Sequence, residues 1–335
     1  MNKSRGADCL SKLVPHPLIL NIITCILSVG MSIFGTVGNS LIIWLVMKDP
    51  LKKLGTPFNY FLVNLAISDL IIAFVTMPIS FYVHYQEIHH GFISPVWSEI
   101  LAMSYFISAH VSFLSLLALS MDRYIAIVRP IKYRLYLSWS RCIKVSVVVW
   151  ILSLTLPFAY FKIGYVPYLM YYGNTSILIG FIIMITLYVR IQKFLHNHHE
   201  QRLSFNATNS LRREAASRQI ERKVTDVFFT LTALFFVTYV IAALINAVVH
   251  LCQTCSCDTS HILRDAQFLL VVLNSCVNPW ICTIRLRQYR ESIKDMWSRN
   301  RITFPCLDSG DVIENNLLEP LVVDDGTQID EDDSE

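Results

Sequence analysis

Seven apolar runs, near residues 18–47, 57–84, 97–128, 143–161, 176–195, 224–251 and 262–284, constrain this 335-residue chain more than any motif in it. Each is near or above the ~20 residues that carry a helix across ~30 Å of hydrocarbon. Inside a bilayer only a helix or a closed barrel satisfies every backbone group, and runs of this length suit the helix. The expectation is an all-α membrane protein: a seven-transmembrane helix bundle. Charged residues make up only 16% of the chain, too few to coat a soluble domain of this size.

The gaps between runs differ in charge. Lys48, Lys52 and Lys53, the stretches Arg123 to Lys144 and Arg190 to Lys223, and the segment from Arg285 onward hold all the basic residues except Lys3, Arg5, Lys12, Lys162 and Arg264. Lys and Arg are retained on the cytoplasmic side, so residues 1–17 are expected outside, the bundle over 18–284, and the carboxyl terminus inside, in a plasma-membrane protein. The first run is too long for the core of a signal peptide and reads as an anchor that stays. Asn2 and Asn174 head glycosylation sequons on expected outer segments.

Past the last run, Leu286, Tyr289, Ile293 and Met296 or Trp297 recur every three or four residues with bases between them, which predicts an amphipathic membrane-surface helix over 285–297. Residues 298–335 end in eleven acids after position 307, and that composition predicts a disordered acidic tail.

Ionisable groups inside a span are costly, about 2.5–3.5 kcal/mol for an Asp at a helix centre on insertion scales, so each calls for a function. Asp69, in "NLAISDLIIAF", reads as the one acid deep in the membrane. Asn39, Ser112, Asn274, Ser275 and Asn278 fall at comparable depth, and together they form an oxygen-rich cluster suited to a small hard cation such as sodium.

The ordered set G-N in span one, L-A-x-x-D in span two, Asp122-Arg123-Tyr124 closing span three, Trp150 in span four and N-S-x-x-N-P in span seven resembles the rhodopsin-like (class A) G-protein-coupled receptors. The resemblance runs from about residue 30 to 297. It implies a cell-surface receptor that binds an extracellular ligand and activates a heterotrimeric G protein when span six swings outward. It also implies a latch: Arg123 tied to Asp122 and Glu221 in the off state, then stabilised by Tyr188 once freed, with Ile131 inserting into the G protein.

Several positions depart from that family. Tyr239 and Ile241 stand where its span-six switch has tryptophan and proline, Gly180 replaces a span-five proline, and Cys282 replaces a tyrosine after the N-P pair. Ser98 stands where a cysteine bonds the second outer loop. An atypical or decoy receptor that binds ligand with weak or no coupling is the alternative these changes keep open.

For the ligand, span seven has Val272 where an opsin has its lysine, so no retinal is expected, and Tyr105 stands where amine receptors carry an aspartate. The outer thirds offer His84, Tyr105, Tyr239, Asn246, His250, Gln267 and Phe268, a largely apolar set suited to a small, mainly neutral ligand. His110 reads as a core histidine. No nucleophile, base and orienting group can be assembled, so no enzyme is expected; the partners expected are membrane lipid and a G protein, with no nucleic acid.

Four cysteines fall outside the spans on the outer side: Cys9, Cys252, Cys255 and Cys257. An oxidising compartment suggests two disulfides among three connectivities, of which a Cys255–Cys257 ring is the most strained. The other two join Cys9 to Cys255 or to Cys257, a tether in place of the missing bond to span three. A zinc site on the same thiolates competes with them.

Overall fold

The computed structural model describes residues 17–91, 94–130, 133, 139–164, 168–202, 209–252 and 254–299, with backbone alone at 139, 169–170, 196–202, 209–223 and 299. Seven helices in it are long and apolar enough to cross a membrane. They are α1 (Leu18–Lys48), α2 (Pro57–His90), α3 (Pro95–Val128), α4 (Trp139–Thr155, continuing through a tighter turn at Leu156–Phe158 into Ala159–Ile163), α5 (Asn174–Arg202), α6 (Asn209–Leu251) and α7 (Cys257–Arg285). An eighth helix, α8 (Arg287–Arg299), follows at once. No strand occurs among the described residues.

Local chemistry sets several of these ends. Thr56 caps α2 by accepting from the Asn59 amide, with Pro57 at the first helical position, where its missing N–H costs nothing. Gly91, at φ +67°, ends α2 in the left-handed region that a residue with a Cβ rarely adopts. After α1, the Asp49 carboxylate accepts from the amides of Lys53 and Leu54 at 2.8 and 2.9 Å and fixes the turn into α2. Ser256 caps α7.

In the ring of helices α1 packs on α2 and α7, α6 on α7, and α3 lies against α2, α4, α5 and α6. Leu45, Phe58, Leu65, Leu116, Leu119, Phe228, Phe235 and Tyr289 form the closed interior. Ile19, Phe74, Leu178 and Leu244 point outward, as a surface solvated by lipid tails requires. Small residues let backbones meet. A Cβ on Gly38 would lie 2.7 Å from the Pro279 ring and 2.9 Å from Trp280 Nε1, so α1 seats on α7 only with glycine there. A Cβ on Gly180 would run into the Phe113 ring, so this glycine makes room for an aromatic of α3.

Two features were not visible in the apolar periodicity. A wide π turn at Ile72–Thr76 interrupts α2 just after Asp69, and α7 begins at Cys257, ahead of the apolar run expected from 262.

Candidate functional site

The basic residues cluster toward the Arg123 end of the bundle, its inner end, and the His84 end is the outer one.

At the inner end, Nε and Nη2 of Arg123 donate to Oδ2 of Asp122 at 3.0 and 2.6 Å. Both side chains are buried, the arginine at 3% and the aspartate at 0% exposure. The guanidinium also lies over the Phe58 ring, 4.8 Å from its centroid, and donates to the Tyr133 hydroxyl at 3.5 Å. The cation is thus held from α3 and α2 together, by a charge-assisted pair and a ring face. Tyr124 is half-buried beside the pair. Tyr188 turns toward α6, edge-on to Phe229 with centroids 4.2 Å apart. Glu221 lies on the backbone of α6, but its side chain, like all of Ile131, is outside the described residues.

Beside this clamp, α8 is tied to the bundle. The Tyr289 hydroxyl donates to Asn59 Oδ1 at 2.8 Å, and the Asn59 amide donates in turn to Leu54 O and Thr56 Oγ1. Tyr289 is fully buried, which pushes its phenol well above the usual range, with the nearby Cys282 and Asp49 acting in the same direction. Lys53 and Arg287 both reach Glu291, at 3.1 and 2.5 Å.

At mid-depth, Asp69 accepts from Ser112 at 3.2 Å and from Asn278 at 3.0 Å, with Ser275 also on the carboxylate. Ser68 adds a hydroxyl 2.9 Å from Ser112, and Asn39 donates to the Gly35 and Ser275 carbonyls. The carbonyl oxygen of Asn274 is buried without a hydrogen-bond partner. A carboxylate, two hydroxyls and an unmatched amide oxygen make a hard donor set of the kind a sodium ion takes. Trp150 donates to Asn64, which donates to Ser115, and this binds α4 and α3 to α2 one layer away.

The outer end differs most from the expectation. Tyr105 and Gln267 meet at 3.4 Å, and Phe268 packs on Tyr105 with centroids 5.4 Å apart, so three of the expected ligand residues do converge. Tyr239 instead stacks on Phe235 at 4.1 Å. Asn246 is half-buried, and Nδ1 of His250 is buried without a hydrogen-bond partner. His84 joins Asp265 of α7 at 3.4 Å. Asp265 and Glu87 are also buried, each 4% exposed, but they lie near the outer ends of α7 and α2 and not at the depth of Asp69. His261 is also buried. The i, i+3 and i, i+4 spacings of His84 with Glu87 and of His261 with Asp265 put each pair on one helix face, and that was the available signal.

His110 packs inside the bundle against Tyr168 and Tyr172. Its Nδ1 faces the Phe106 carbonyl at 2.7 Å, and its Nε2 lies 3.4 Å from the hydroxyl of Tyr168. Tyr168 comes from the segment leading into α5, yet it is only 1% exposed and packs on Phe106 and Tyr172. Burial raises its phenol well above the ordinary value, with Tyr172 adding to the effect.

Cys252 and Cys255 form a disulfide, which rules out the Cys9–Cys255 option and the zinc site on free thiolates. Cys257 is also disulfide-bonded, and Cys9 lies outside the described residues. Asn174 opens α5 and is half-buried; Asn2 lies outside the described residues.

The chain matches the family model "7 transmembrane receptor (rhodopsin family)" over residues 38–166 and 161–281. It is 25% identical to the octopamine receptor beta-2R of Chilo suppressalis over 81% of this chain and 78% of that one. It is 26% identical to the adenosine receptor A3 of Bos taurus over 76% and 83%. Squid rhodopsin superposes with a TM-score of 0.72 over 87% of this chain and 89% of its own, at 19% identity.

Proposed function

The chain belongs to the rhodopsin family of seven-transmembrane receptors, and from that premise we propose that it sits in the plasma membrane, amino terminus outside, and passes ligand binding to a heterotrimeric G protein. It is a multi-pass membrane receptor and not an enzyme. The observation that carries the coupling reading is the buried Asp122–Arg123 clamp at the inner end of α3. A cation held this way is withdrawn from any partner. Release needs a competing contact, and the proposed one is made as α6 moves outward and Tyr188 leaves Phe229 for the arginine. Glu221 on α6 would then hold Arg123 in the off state only.

Asp69, Ser112, Asn274, Ser275 and Asn278 are the residues that would hold a sodium ion, which would supply positive charge to a buried carboxylate in the off state. On this reading added sodium lowers ligand-free exchange, and Asp69→Asn removes that dependence; an unaltered sodium response in the variant would rule the site out.

The ligand enters between α3, α6 and α7. Relatives include receptors named for octopamine and for adenosine, but Tyr105 gives α3 no acid there, and Gln267 and Phe268 complete a mainly apolar wall with hydrogen-bonding groups. A small, mainly neutral ligand suits it. A tether from Cys9 to Cys257 would pin the amino terminus over this entrance.

One set of observations favours a second reading. Tyr239, Ile241 and Cys282 replace the switch residues of the family, and α6 runs as one helix with no proline, so a decoy receptor would bind ligand without exchange. GTP exchange by purified receptor across a panel of G proteins, with and without extracts containing candidate ligands, separates the two. Ligand-dependent exchange is the expected result, and binding without exchange on any G protein would establish the decoy.

A further inference from the structure

An aromatic side chain from the segment between α4 and α5 is buried among the spans, and the coupling scheme gives it no task. Gly164, at φ +85°, where a residue with a Cβ is strained, ends the α4 extension, and its amide donates to the Tyr160 carbonyl at 2.8 Å. The Gly164 carbonyl then accepts from the Tyr168 amide at 3.1 Å, and this turn sends the chain back toward the interior. The backbone of Tyr168–Gly173 lies against the α4 extension, α5 and α6. Tyr168 is 1% exposed.

The Tyr168 ring sits among four others: Phe106 with centroids 4.8 Å apart, Tyr172 stacked at 5.3 Å, His110 at 6.2 Å and Tyr160 edge-on at 6.4 Å. Tyr160 and Tyr172 are half-buried, so the outer side of this aromatic box is partly open. α3 runs inward from Pro95, and His110 is five residues further along it than Tyr105, about 7.5 Å at 1.5 Å per residue. A ring from outside the spans therefore reaches deeper than the level at which Tyr105 meets Gln267 and Phe268.

The polar end of the box is His110. The Phe106 carbonyl can only accept, so His110 Nδ1, 2.7 Å from it, carries a hydrogen, and in the neutral ring Nε2 is left as an acceptor. That acceptor faces the Tyr168 hydroxyl at 3.4 Å, beyond the ~2.7–3.2 Å of a good hydrogen bond. The Tyr168 ring fills its place, but its hydroxyl, fixed by the turn at Gly164, falls short of the acceptor. A ring of the same kind that is not part of the chain has no such restraint.

We propose that the box is a ligand subsite for a small hydroxyaromatic ring, with His110 Nε2 as the acceptor for its hydroxyl, and that Tyr168 is a tethered occupant which the ligand displaces. The subsite extends the wall of Tyr105, Gln267 and Phe268 inward along α3 and gives the ligand a chemical class. In this same conformation Arg123 is clamped on Asp122, so the contacts of Tyr168 count toward the clamped state and their loss favours release. That effect on signalling rests on the coupling reading above; the subsite itself does not.

The test uses full-length receptor in lipid nanodiscs with two probes: 4-methylphenol, which is the tyrosine side chain as a free molecule, and toluene, the same ring without the hydroxyl. Binding is read as the rise of the unfolding midpoint with probe concentration. Tyr168→Ala vacates the ring's place and should bind 4-methylphenol at least about tenfold more tightly than wild type, in which the probe must first displace Tyr168. Adding His110→Phe keeps a ring there and removes the acceptor, so the affinity for 4-methylphenol relative to toluene should fall about tenfold. A Tyr168→Ala receptor recovered folded only when 4-methylphenol is present is the same result in another form. Equal binding of 4-methylphenol by Tyr168→Ala and wild type, a ratio unchanged by His110→Phe, or a Tyr168→Ala receptor that neither probe recovers would overturn the proposal and leave Tyr168 as packing. Ligand-free GTP exchange by Tyr168→Ala should rise several-fold on the same samples. Probe binding as expected with exchange absent in every variant keeps the subsite and sinks the coupling reading. Exchange that is present, with no probe binding to Tyr168→Ala, does the opposite.

Discussion

The Arg123 end and the His84 end are each closed by a buried pair of side chains, but the two pairs are built in opposite ways. Asp122 and Arg123 are neighbours on one helix, so their pair breaks by a side-chain rotation and need not separate any two spans. His84 and Asp265 belong to α2 and α7, so their contact breaks only if the two spans part. The inner pair can therefore act as a switch that waits for a partner. The outer pair joins two spans and acts as a fastener between them. Between them, the Asp69 cluster joins α2, α3 and α7 and gives the two ends a shared element.

Damage to the packing that both ends depend on should have the largest effect. Gly38→Leu drives a side chain into Pro279 and Trp280, where a Cβ alone is already at 2.7 Å. Overpacking costs about 1–3 kcal/mol or more, so at about 2–4 °C per kcal/mol the unfolding midpoint should fall by about 2–12 °C. A midpoint within 2 °C of wild type, by about the same scale, would mean that α1 yields and does not set the outer pair.

Next come two phenols, one at each end. Tyr289→Phe leaves Asn59 Oδ1 buried without its 2.8 Å donor, a loss of about 1–3 kcal/mol. Tyr168→Phe removes a hydroxyl at the long distance of 3.4 Å from His110, and about 0.5 kcal/mol or less is expected. Thermal melts of the two variants sharpen the comparison, and equal losses would mean that the two hydroxyls hold their ends equally well.

The smallest effect is at Glu291. Partial burial would raise its carboxyl, but the hydrogen bonds and charges of Arg287 and Lys53 outweigh this and hold it below the ordinary value of 4.5. A depressed acid stabilises the fold above its unfolded pKa and loses that contribution as pH falls through the folded value. The group is about a third exposed, so solvent screening limits it to about 0.5 kcal/mol. Glu291→Gln should melt slightly lower than wild type at neutral pH, with the gap closing below pH 4.5; a gap that persists in acid would assign the loss to packing.

What could be read from the sequence follows the same division. The inner and middle sites were legible because their residues sit in short contiguous motifs on single helices, as with Asp122-Arg123 or Asn274, Ser275 and Asn278. The outer site was not. His84 lies beyond the π turn at Ile72–Thr76, which inserts an extra residue and rotates everything after it by about 100°, so its face cannot be projected from Asp69. Asp265 was hidden because the expected run opens only at 262, which puts Asp265 within its first turn, although Ser256 caps a helix that begins at Cys257. Tyr168 returning into the interior against His110 is a tertiary event with no local signature. Gly180 read as a departure from a family pattern, and its reason, the Phe113 ring lying against it, belongs to another helix.

The central claim is that Asp122 restrains Arg123. Ligand-free GTP exchange by Asp122→Asn, compared with wild type at equal surface expression, tests it most directly. Asparagine keeps the shape and removes the charge that holds the guanidinium, so exchange should rise several-fold, with Glu221→Ala adding to it if α6 shares the restraint. Unchanged or lower exchange in Asp122→Asn, with the variant folded and at the surface, would contradict the account.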